Sequence, residues 1–338
     1  MTEIVAIDYA LPKNVLSNEM IHQQYPEWTI EKISEKIGIN NRHIAAENEF
    51  ASDLAISAAE TLFSNNPHID KAEIDFLLYC TQSPDYFLPT TACILQDRIH
   101  LGKKIGALDF NLGCSGYIYG LGLAKGLIET QQAANVLLIT SETYSKYIHQ
   151  SDKGNKALFG DAAAATIISN GNIKASFKGK IGNIIYGTDG GGYDKLIVRN
   201  GALRYKKEIG ETIFKDENFF KNDDNLFMDG QAIFNFTAFE IPILLDRILE
   251  KEQLSLNEID LFIFHQANKY MLETVRRKCK IPAEKFFVDI KDTGNTVSST
   301  IPIAISKLLE QNKIHPGMKI ILCGFGVGLS MGAALIKV

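Results

Sequence analysis

The sequence predicts an α/β chain built from two similar halves, each with a mixed sheet and helices packed on it. Segments that recur in the same order at nearly the same spacing carry this prediction. The apolar segment EIDFLLYC (73–80) returns as EIDLFIFH (258–265), and NVLLI (135–139) returns as KIILC (319–323). Any one match between short apolar strands arises easily by chance, but several in one order indicate an internal duplication.

A third repeated pair brings a cysteine and an asparagine to equivalent places. Residues 111–129 (NLGCSGYIYGLGLAKGLIE) and 292–310 (DTGNTVSSTIPIAISKLLE) both pass from small residues into an apolar helical pattern, and Asn295 takes the place of Cys114. Equivalent strand ends of two packed halves meet at one edge, where ligands of such sheets bind. We therefore expect Cys114, Asn295 and His265, which ends a predicted strand, to meet there.

We expect the first half to span residues 1–170 and the second to span 171–338. Residues 171–229 are irregular, contain three consecutive glycines and a charged run, and predict a peripheral insertion. The nearly uncharged residues 320–338 are long enough to cross a membrane, but their four glycines predict strand, loop and strand instead. Apolar periodicity and end signals predict further helices at residues 51–62, 91–99, 231–251 and 270–280.

Composition limits the classes of function. A chain of 338 residues with 46% hydrophobic content can bury a large core, and a net charge of −5 argues against a general nucleic-acid binder. Its five cysteines show neither CxxC pairs nor metal-ligand spacing, which favours a reducing compartment over a disulfide framework. The first residues lack a basic segment followed by an apolar run, so we expect no signal peptide and a cytoplasmic protein.

Cys114 follows the apolar strand pattern of residues 107–110 and precedes a long apolar helix. At a helix start, unpaired backbone N–H groups and the helix dipole are expected to lower the pKa of a thiol and to bind an oxyanion. A buried structural cysteine and a satisfied core histidine are the plain alternatives for Cys114 and His265 taken singly. A Cys, His and Asn set also describes papain-like hydrolases, but their flanking CGSCW-like residues are absent here.

Six motifs together resemble β-ketoacyl-acyl-carrier-protein synthase III, in the order of that family and over nearly the whole chain. The resemblance implies the thiolase fold, with five layers αβαβα and an internal pseudo-twofold axis. It also implies a homodimeric acyltransferase of fatty-acid or polyketide-like biosynthesis, with an acyl carrier protein as partner. The motifs are GINNRHIA (38–45), NLGCSGY (111–117), FGDAAAA (159–165), HQAN (265–268), GNTVSSTIP (294–302) and GFGVGLSMG (324–332).

The roles of the site residues are implied by this resemblance. Cys114 would accept the acyl primer, and a malonyl thioester would lose CO2 and attack it, with His265 and Asn295 donating hydrogen bonds to the malonyl thioester oxygen. Backbone N–H groups of Cys114 and Val327 would form the oxyanion hole. Leu88, on a loop reaching the partner subunit, and Phe325 would line the acyl pocket. Neither a metal nor an organic cofactor is expected, the substrates being acyl-CoA or acyl-carrier thioesters and a malonyl-carrier thioester.

Docking residues are implied in the same way. A basic helix would steer an acidic carrier protein, although a solvated helix face is the plain alternative. The tryptophan and arginine that hold the adenine of coenzyme A in many relatives align with Lys32 and Lys153, and the only tryptophan, Trp28, lies about one helical turn earlier. We therefore expect weak recognition of coenzyme A and a preference for carrier-borne primers. The docking set comprises Trp28, Lys32, Lys153, Asn268, Arg276, Arg277 and Lys278.

Several alternatives share these residues. An acyltransferase could pass the Cys114 acyl group to an amine or hydroxyl. A non-decarboxylating thiolase needs a second cysteine in the C-terminal glycine loop, where Phe325 takes the expected position and Cys323 falls two residues early. A silent partner subunit would usually lack the nucleophile. The family is also expected to dimerise through the strand at residues 136–140, which would remove exposed sheet edges.

Overall fold

The protein is described by a computed structural model over residues 1–175, 177–205, 211–215 and 218–338. Its helices are α1 (Asn18–Gln24), α2 (Ile30–Lys36), α3 (Ala51–Asn65), α4 (Thr91–Arg98), α5 (Gly116–Glu129), α6 (Lys153–Leu158), α7 (Gly230–Glu252), α8 (Lys269–Lys278) and α9 (Thr300–Glu310). Its strands are β1 (Glu3–Ala10), β2 (Asn14–Ser17), β3 (Asn41–Ile44), β4 (Phe76–Cys80), β5 (Gly106–Phe110), β6 (Asn135–Glu142), β7 (Ala162–Ser169), β8 (Gly179–Thr188), β9 (Leu196–Ile197), β10 (Ile213–Lys215), β11 (Asn218–Lys221), β12 (Phe227–Met228), β13 (Leu261–Phe264), β14 (Phe286–Phe287), β15 (Lys319–Gly326) and β16 (Ser330–Lys337).

Ten strands form one continuous sheet in the order β14-β13-β15-β16-β8-β1-β7-β6-β4-β5. The sheet divides into two groups of five strands that share one pattern of strand directions. In each group three strands run parallel, β4, β5 and β6 in the first and β13, β14 and β15 in the second. The remaining two strands of each group are antiparallel to their neighbours within it. Only two residue pairs, Glu3–Lys180 and Ile4–Gly179, join β1 to β8. The predicted duplication is therefore confirmed.

The two groups of strands enclose a central layer of helices. Helix α5 contacts β6 and β4 of one group and β15, β8 and β16 of the other, while α9 contacts β1, β7 and β13. Gly120 allows α5 to lie close to the sheet, because a Cβ there would stand 2.6 Å from Leu138 Cδ1. Helices α3 and α4 cover the outer face of the first group, and α7 lies on that of the second with α8 packed beside it in the same core cluster. These are the five expected layers.

The prediction of a peripheral insertion at residues 171–229 is wrong for its first part. Strand β8 lies in the middle of the sheet, between β16 and β1. Its sequence GKIGNIIYGT looks irregular because glycines interrupt it and a shift in its register with β16 breaks the alternation, so that Ile181 and Ile185 are buried in different core clusters. The later part carries only the short strand pairs β9–β12 and β10–β11. Residues 176, 206–210 and 216–217 of the predicted insertion lie outside the described residues.

The prediction that the strand at residues 136–140 mediates dimerisation is also wrong. Residues 136–140 belong to β6, whose two edges are already paired with β4 and β7. The free edge of this half is β5, which pairs only with β4 in the described chain. Over the residues that the structure describes, no helix combines the length and apolar character needed to cross a membrane.

Candidate active site

Cys114 lies in the turn between β5 and α5, pressed against the second half of the chain. Strand β15 approaches so closely that a Cβ on Gly324 would stand 2.8 Å from the Cys114 carbonyl oxygen. A Cβ on Gly326 would stand 2.8 Å from Cys114 Cβ and 2.9 Å from its Sγ. Only glycine fits at either place, so the glycine loop buries the cysteine, leaving it 4% exposed.

Burial raises the pKa of the Cys114 thiol to about 12, which corrects the expectation of a lowered pKa. Hydrogen bonding to the backbone of Val327 and of Cys114 itself lowers this pKa, but by less than desolvation raises it. The charged form loses its hydration in the closed pocket, and the helix start does not make up that loss. The thiol is therefore protonated at neutral pH.

His265 follows directly after β13, and its backbone N–H donates to Cys323 O at 2.7 Å. Its ring is nearly perpendicular to that of Phe325, with centroids 5.6 Å apart, and its Nδ1 lies 2.8 Å from Thr300 Oγ1. Burial lowers the pKa of His265 to about 3, against a weaker raising effect from the Val297 backbone. The imidazole is therefore neutral at physiological pH, with one ring N–H.

Asn295 is held by the FGD motif of the first half. Its backbone N–H donates to Leu158 O and its carbonyl accepts from Gly160 N–H, both at 3.0 Å. A Cβ on Gly160 would stand 2.4 Å from Thr293 O, so the motif requires glycine there. Asn295 Oδ1 accepts from Val297 N–H at 2.9 Å. Since that oxygen is occupied, the side-chain NH2 remains to donate toward the pocket.

Cys114, His265 and Asn295 line one pocket with a cavity volume of about 80 Å³, together with Phe325 and Gly326. Its lining also includes Leu158, Met228, Gly230 and Asn268, which the pocket shares with a larger open cleft. The cleft gives the pocket a route to solvent. The three predicted catalytic side chains are thus brought together from two halves of the chain.

The two predicted acyl-pocket residues lie in different surroundings. Phe325 is 1% exposed and lines the pocket, whereas Leu88 is 82% exposed and is absent from its lining. The neighbouring Tyr86 and Phe87 are exposed as well. Such an exposed apolar patch in a single chain is typical of a loop that contacts another molecule.

Two of the predicted docking residues lie together at the cleft. Trp28 lines it, and Lys153 Nζ stands 5.9 Å from the centre of the indole ring while it also pairs with Glu27 at 2.8 Å. Asn268 lines both cavities and caps α8 by accepting from Met271 N–H at 2.8 Å. Lys32 is exposed on α2, but the cleft is lined by Lys36 instead.

Arg276, one of the predicted docking residues, is engaged within its own chain. Its guanidinium donates twice to Glu273, at 2.8 and 2.6 Å, and once to Ile281 O at 2.6 Å. These pairs lower the pKa of Glu273 to about 2. Arg276 therefore stabilises the end of α8, while Arg277, which also bonds Glu273, and Lys278 remain exposed. All three lie at the end of α8 away from Asn268.

The sequence did not single out Glu142, a buried carboxyl group at the end of β6. It accepts from Gln82 N–H and Ser83 Oγ, both at 3.1 Å, and from Ser298 Oγ at 3.2 Å. It thereby ties a loop of the first half to the Asn295 turn of the second. Burial raises the pKa of Glu142 to about 8. The available signal in the sequence was a charged residue at the end of a strand whose central residues are apolar.

Gln82 and Tyr144 were missed as well. The Tyr144 hydroxyl donates to Gln82 Oε1, and Gln82 Nε2 donates to Asn111 Oδ1 at 2.9 Å. A Cβ on Gly113, the residue before the nucleophile, would stand 2.6 Å from that same Gln82 oxygen. These polar side chains therefore close the space beside Cys114.

The duplicated five-layer fold, with a Cys, His and Asn pocket shared by its halves, defines a condensing enzyme of the thiolase-like class. Profiles described as 3-oxoacyl-[acyl-carrier-protein (ACP)] synthase III and as its C-terminal part match residues 108–190 and 249–338. The chain is 35% identical to a beta-ketoacyl-[acyl-carrier-protein] synthase III of Clostridium perfringens over 96% of each chain. It is 33% identical to one of Fusobacterium nucleatum, over 99% of this chain and 98% of that one.

A crystal structure of a 3-oxoacyl-(acyl-carrier-protein) synthase III agrees with this fold at a TM-score of 0.95. It is 43% identical to this chain, and the match covers 100% of this chain and 99% of the other. The chain belongs to the 3-oxoacyl-[acyl-carrier-protein] synthase III family, which confirms the resemblance seen in its motifs.

Proposed function

We propose that this chain condenses an acyl group held on Cys114 with a malonyl thioester, releasing CO2, in fatty-acid or related biosynthesis. One observation carries the proposal: a buried cysteine and two side-chain hydrogen-bond donors, contributed by different halves, line the same pocket. A condensation in two steps needs such an arrangement, because the nucleophile and the groups that stabilise the enolate must face one reacting carbon.

In the first step, Cys114 Sγ attacks the thioester carbon of the primer. A new C–S bond forms, the carrier thiol leaves, and the Cys114 proton passes to it. Because the pKa of this thiol is about 12, the proton is lost during attack and not beforehand. The N–H groups of Cys114 and Val327 stabilise the tetrahedral oxyanion, each such donor being worth roughly 3 kcal/mol of barrier.

In the second step, His265 Nε2–H and the Asn295 NH2 group donate to the malonyl thioester oxygen. The bond to the carboxylate breaks, CO2 leaves, and the electron pair of that bond forms an enolate. Its α-carbon attacks the acyl group and expels the Cys114 thiolate, which takes a proton from water to restore the thiol. Neutral imidazole suits this role because it is a very weak acid. It can stabilise the enolate oxygen without protonating it, so the carbon stays nucleophilic.

Substrates would reach the pocket through the cleft lined by Trp28. Lys153 stands over the indole ring and is paired with Glu27, and an ammonium group does not stack on adenine as a planar guanidinium does. This supports a preference for primers carried on an acyl carrier protein, with Arg277 and Lys278 as exposed positive charges on α8.

We expect kcat/KM for one acyl group to be higher on the carrier protein than on coenzyme A. Trp28→Ala should change the coenzyme A value little, because stacking contributes little there. Steady-state assays with both donors measure this. A clear preference for coenzyme A that Trp28→Ala removes would contradict the expectation and would identify Trp28 as the adenine contact.

The proposed reaction is tested by following its two steps separately. Mass spectrometry after incubation with an acyl thioester should find the acyl group on Cys114, none in Cys114→Ala, and unchanged labelling in the control Cys93→Ala, which alters an exposed cysteine. His265→Ala and Asn295→Ala should keep self-acylation while CO2 release from a malonyl thioester falls about 10²- to 10³-fold. Equal loss of both steps would assign these residues a structural role.

The alternatives differ in measurable ways. Transfer of the acyl group to an amine or hydroxyl releases no CO2. Thiolase chemistry needs a second cysteine. Among the described residues, Cys114 is the sole cysteine that lines the pocket. Cys323 is buried on β15 and does not line it. Independence from metals and organic cofactors stays a prediction, tested by activity after dialysis against a chelator. The described residues contain no group of three or more His, Cys, Asp or Glu side chains placed to hold a metal ion.

A further inference from the structure

We propose that Thr300 is a positioning residue that selects the tautomer of His265, so that Nε2 carries the ring proton. The inference rests on the proposed function, in which Nε2–H must donate to the malonyl thioester oxygen. His265 has a pKa of about 3, so it is neutral and only one of its two ring nitrogens carries a proton. The partner of the other nitrogen decides which one.

The tautomer of His265 depends on which of two neighbouring atoms accepts the hydroxyl proton of Thr300. Thr300 Oγ1 lies 2.8 Å from His265 Nδ1 and 3.1 Å from Val297 O. When the hydroxyl donates to Nδ1, that nitrogen must be unprotonated and Nε2 carries the proton. When the hydroxyl donates to Val297 O, Nδ1–H must donate to Oγ1, and Nε2 becomes an acceptor. The second arrangement abolishes the donor that decarboxylation requires.

The distances favour the first arrangement. The contact of the hydroxyl to Nδ1, at 2.8 Å, is shorter than that to Val297 O, at 3.1 Å. Because Thr300 is 3% exposed, solvent does not act as a third acceptor for its proton. Thr300 is also the first residue of α9, the helix that follows the Asn295 turn. The same short segment therefore orients both donors, Asn295 through Val297 N–H and His265 through the Thr300 hydroxyl.

Removing the hydroxyl should favour the wrong tautomer. In Thr300→Val no proton is offered to Nδ1, whereas the Val297 backbone, whose hydrogen bond with the ring raises the pKa of His265, remains to accept a ring N–H. We expect kcat for malonyl decarboxylation to fall about 10-fold or more, since a whole donor is worth about 10²- to 10³-fold. Self-acylation of Cys114 and KM should stay within about 2-fold, because neither uses the Nε2 proton.

The experiment compares Thr300→Val, Thr300→Ser and Thr237→Val in the full chain. Thr237 is a matched control, a fully buried helical threonine whose hydroxyl donates to Ile233 O at 2.8 Å. CO2 release and acyl-enzyme formation are measured for each, and ¹⁵N NMR of labelled histidine reports which ring nitrogen of His265 is protonated. Thr300→Ser should restore decarboxylation to within about 3-fold of wild type, with the Nε2–H signature, since it restores the donor.

Each outcome decides the matter. Nε2–H in the wild type, its loss in Thr300→Val and its return in Thr300→Ser support the proposal. Nδ1–H in the wild type overturns it even if Thr300→Val fails to fold. Undiminished decarboxylation in Thr300→Val, or an equal loss in Thr237→Val, also overturns it. Wild-type enzyme that is acylated but releases no CO2 would refute the proposed function instead, while the NMR spectra would still test the tautomer assignment.

Discussion

Burial drives the two reacting side chains toward their neutral forms. The pKa of Cys114 rises to about 12 and that of His265 falls to about 3, both mainly by desolvation. A Cys-His hydrolase instead relies on its histidine to take the thiol proton. The resting pocket thus lacks a thiolate and imidazolium pair, and this distinguishes it physically from the papain-like alternative that the residue types alone left open.

The lowered pKa of His265 makes the stability of the protein depend on pH. The folded pKa of about 3 lies below the ordinary 6.5, so the unfolded chain takes up a proton first as the pH falls. Its contribution is complete above pH 6.5 and is lost toward pH 3, at about 1.4 kcal/mol per pH unit. Denaturant unfolding should show wild type losing stability relative to His265→Gln by this amount. A difference that stays constant with pH would contradict this.

Glu142 opposes this effect over part of the range. Its folded pKa of about 8 lies above the ordinary 4.5, so the folded state keeps a proton that the unfolded state releases, and stability declines as the pH rises between these values. Between pH 4.5 and 6.5 the slopes due to Glu142 and His265 have opposite signs. For this reason the test compares wild type with a variant at each pH and does not follow wild type alone.

The sequence identified the residues of the site but did not predict their pKa values. Cys114, His265 and Asn295 could be found because duplication and strand ends locate them without any knowledge of packing. The pKa of Cys114 could not, because desolvation depends on Gly324 and Gly326 arriving from distant sequence. Glu142 and Thr300 were missed for the same reason, since their partners belong to other elements.

At the scale of elements, close approach between β15 and the Cys114 turn depends on glycine. Gly326→Ala should reduce acyl-enzyme formation by at least 10-fold, because its Cβ would stand 2.9 Å from Cys114 Sγ and must displace the nucleophile. Gly126→Ala is the matched control, since nothing lies within 4 Å of a Cβ there. It should stabilise α5 by about 0.5–1 kcal/mol and leave acylation unchanged. Mass spectrometry and denaturant unfolding measure the two effects. Normal acylation of Gly326→Ala would show that the loop can yield.

Elements with an unbroken apolar pattern were predictable, and those with interrupted patterns were not. Strands β6 and β15 were found because nearly every residue in them is buried. Strand β8 was missed because its glycines and half-exposed residues give too weak an alternation. Its place in the sheet follows from pairing with β16 and β1, which local sequence does not encode.

At the scale of the whole molecule, the free edge of β5 leads us to propose a homodimer. Two copies pairing along β5 would satisfy the exposed backbone groups of that edge and bring the loop of Leu88 onto another chain. Sedimentation at micromolar concentration should give a dimer. Leu108→Lys on β5 should shift it toward monomer, whereas Ile243→Lys, a similarly exposed position on α7, should not. Monomeric wild-type protein would contradict the proposal.

The glycine loop that closes over Cys114 also has a consequence for the timing of activity during synthesis. Cys114 leaves the ribosome before Gly326 and Val327, which belong to β15 and the turn after it. A nascent chain that has folded only its first half exposes the cysteine without its pocket, its oxyanion donors or its histidine. Competence for acylation therefore requires that both halves have been made and folded together.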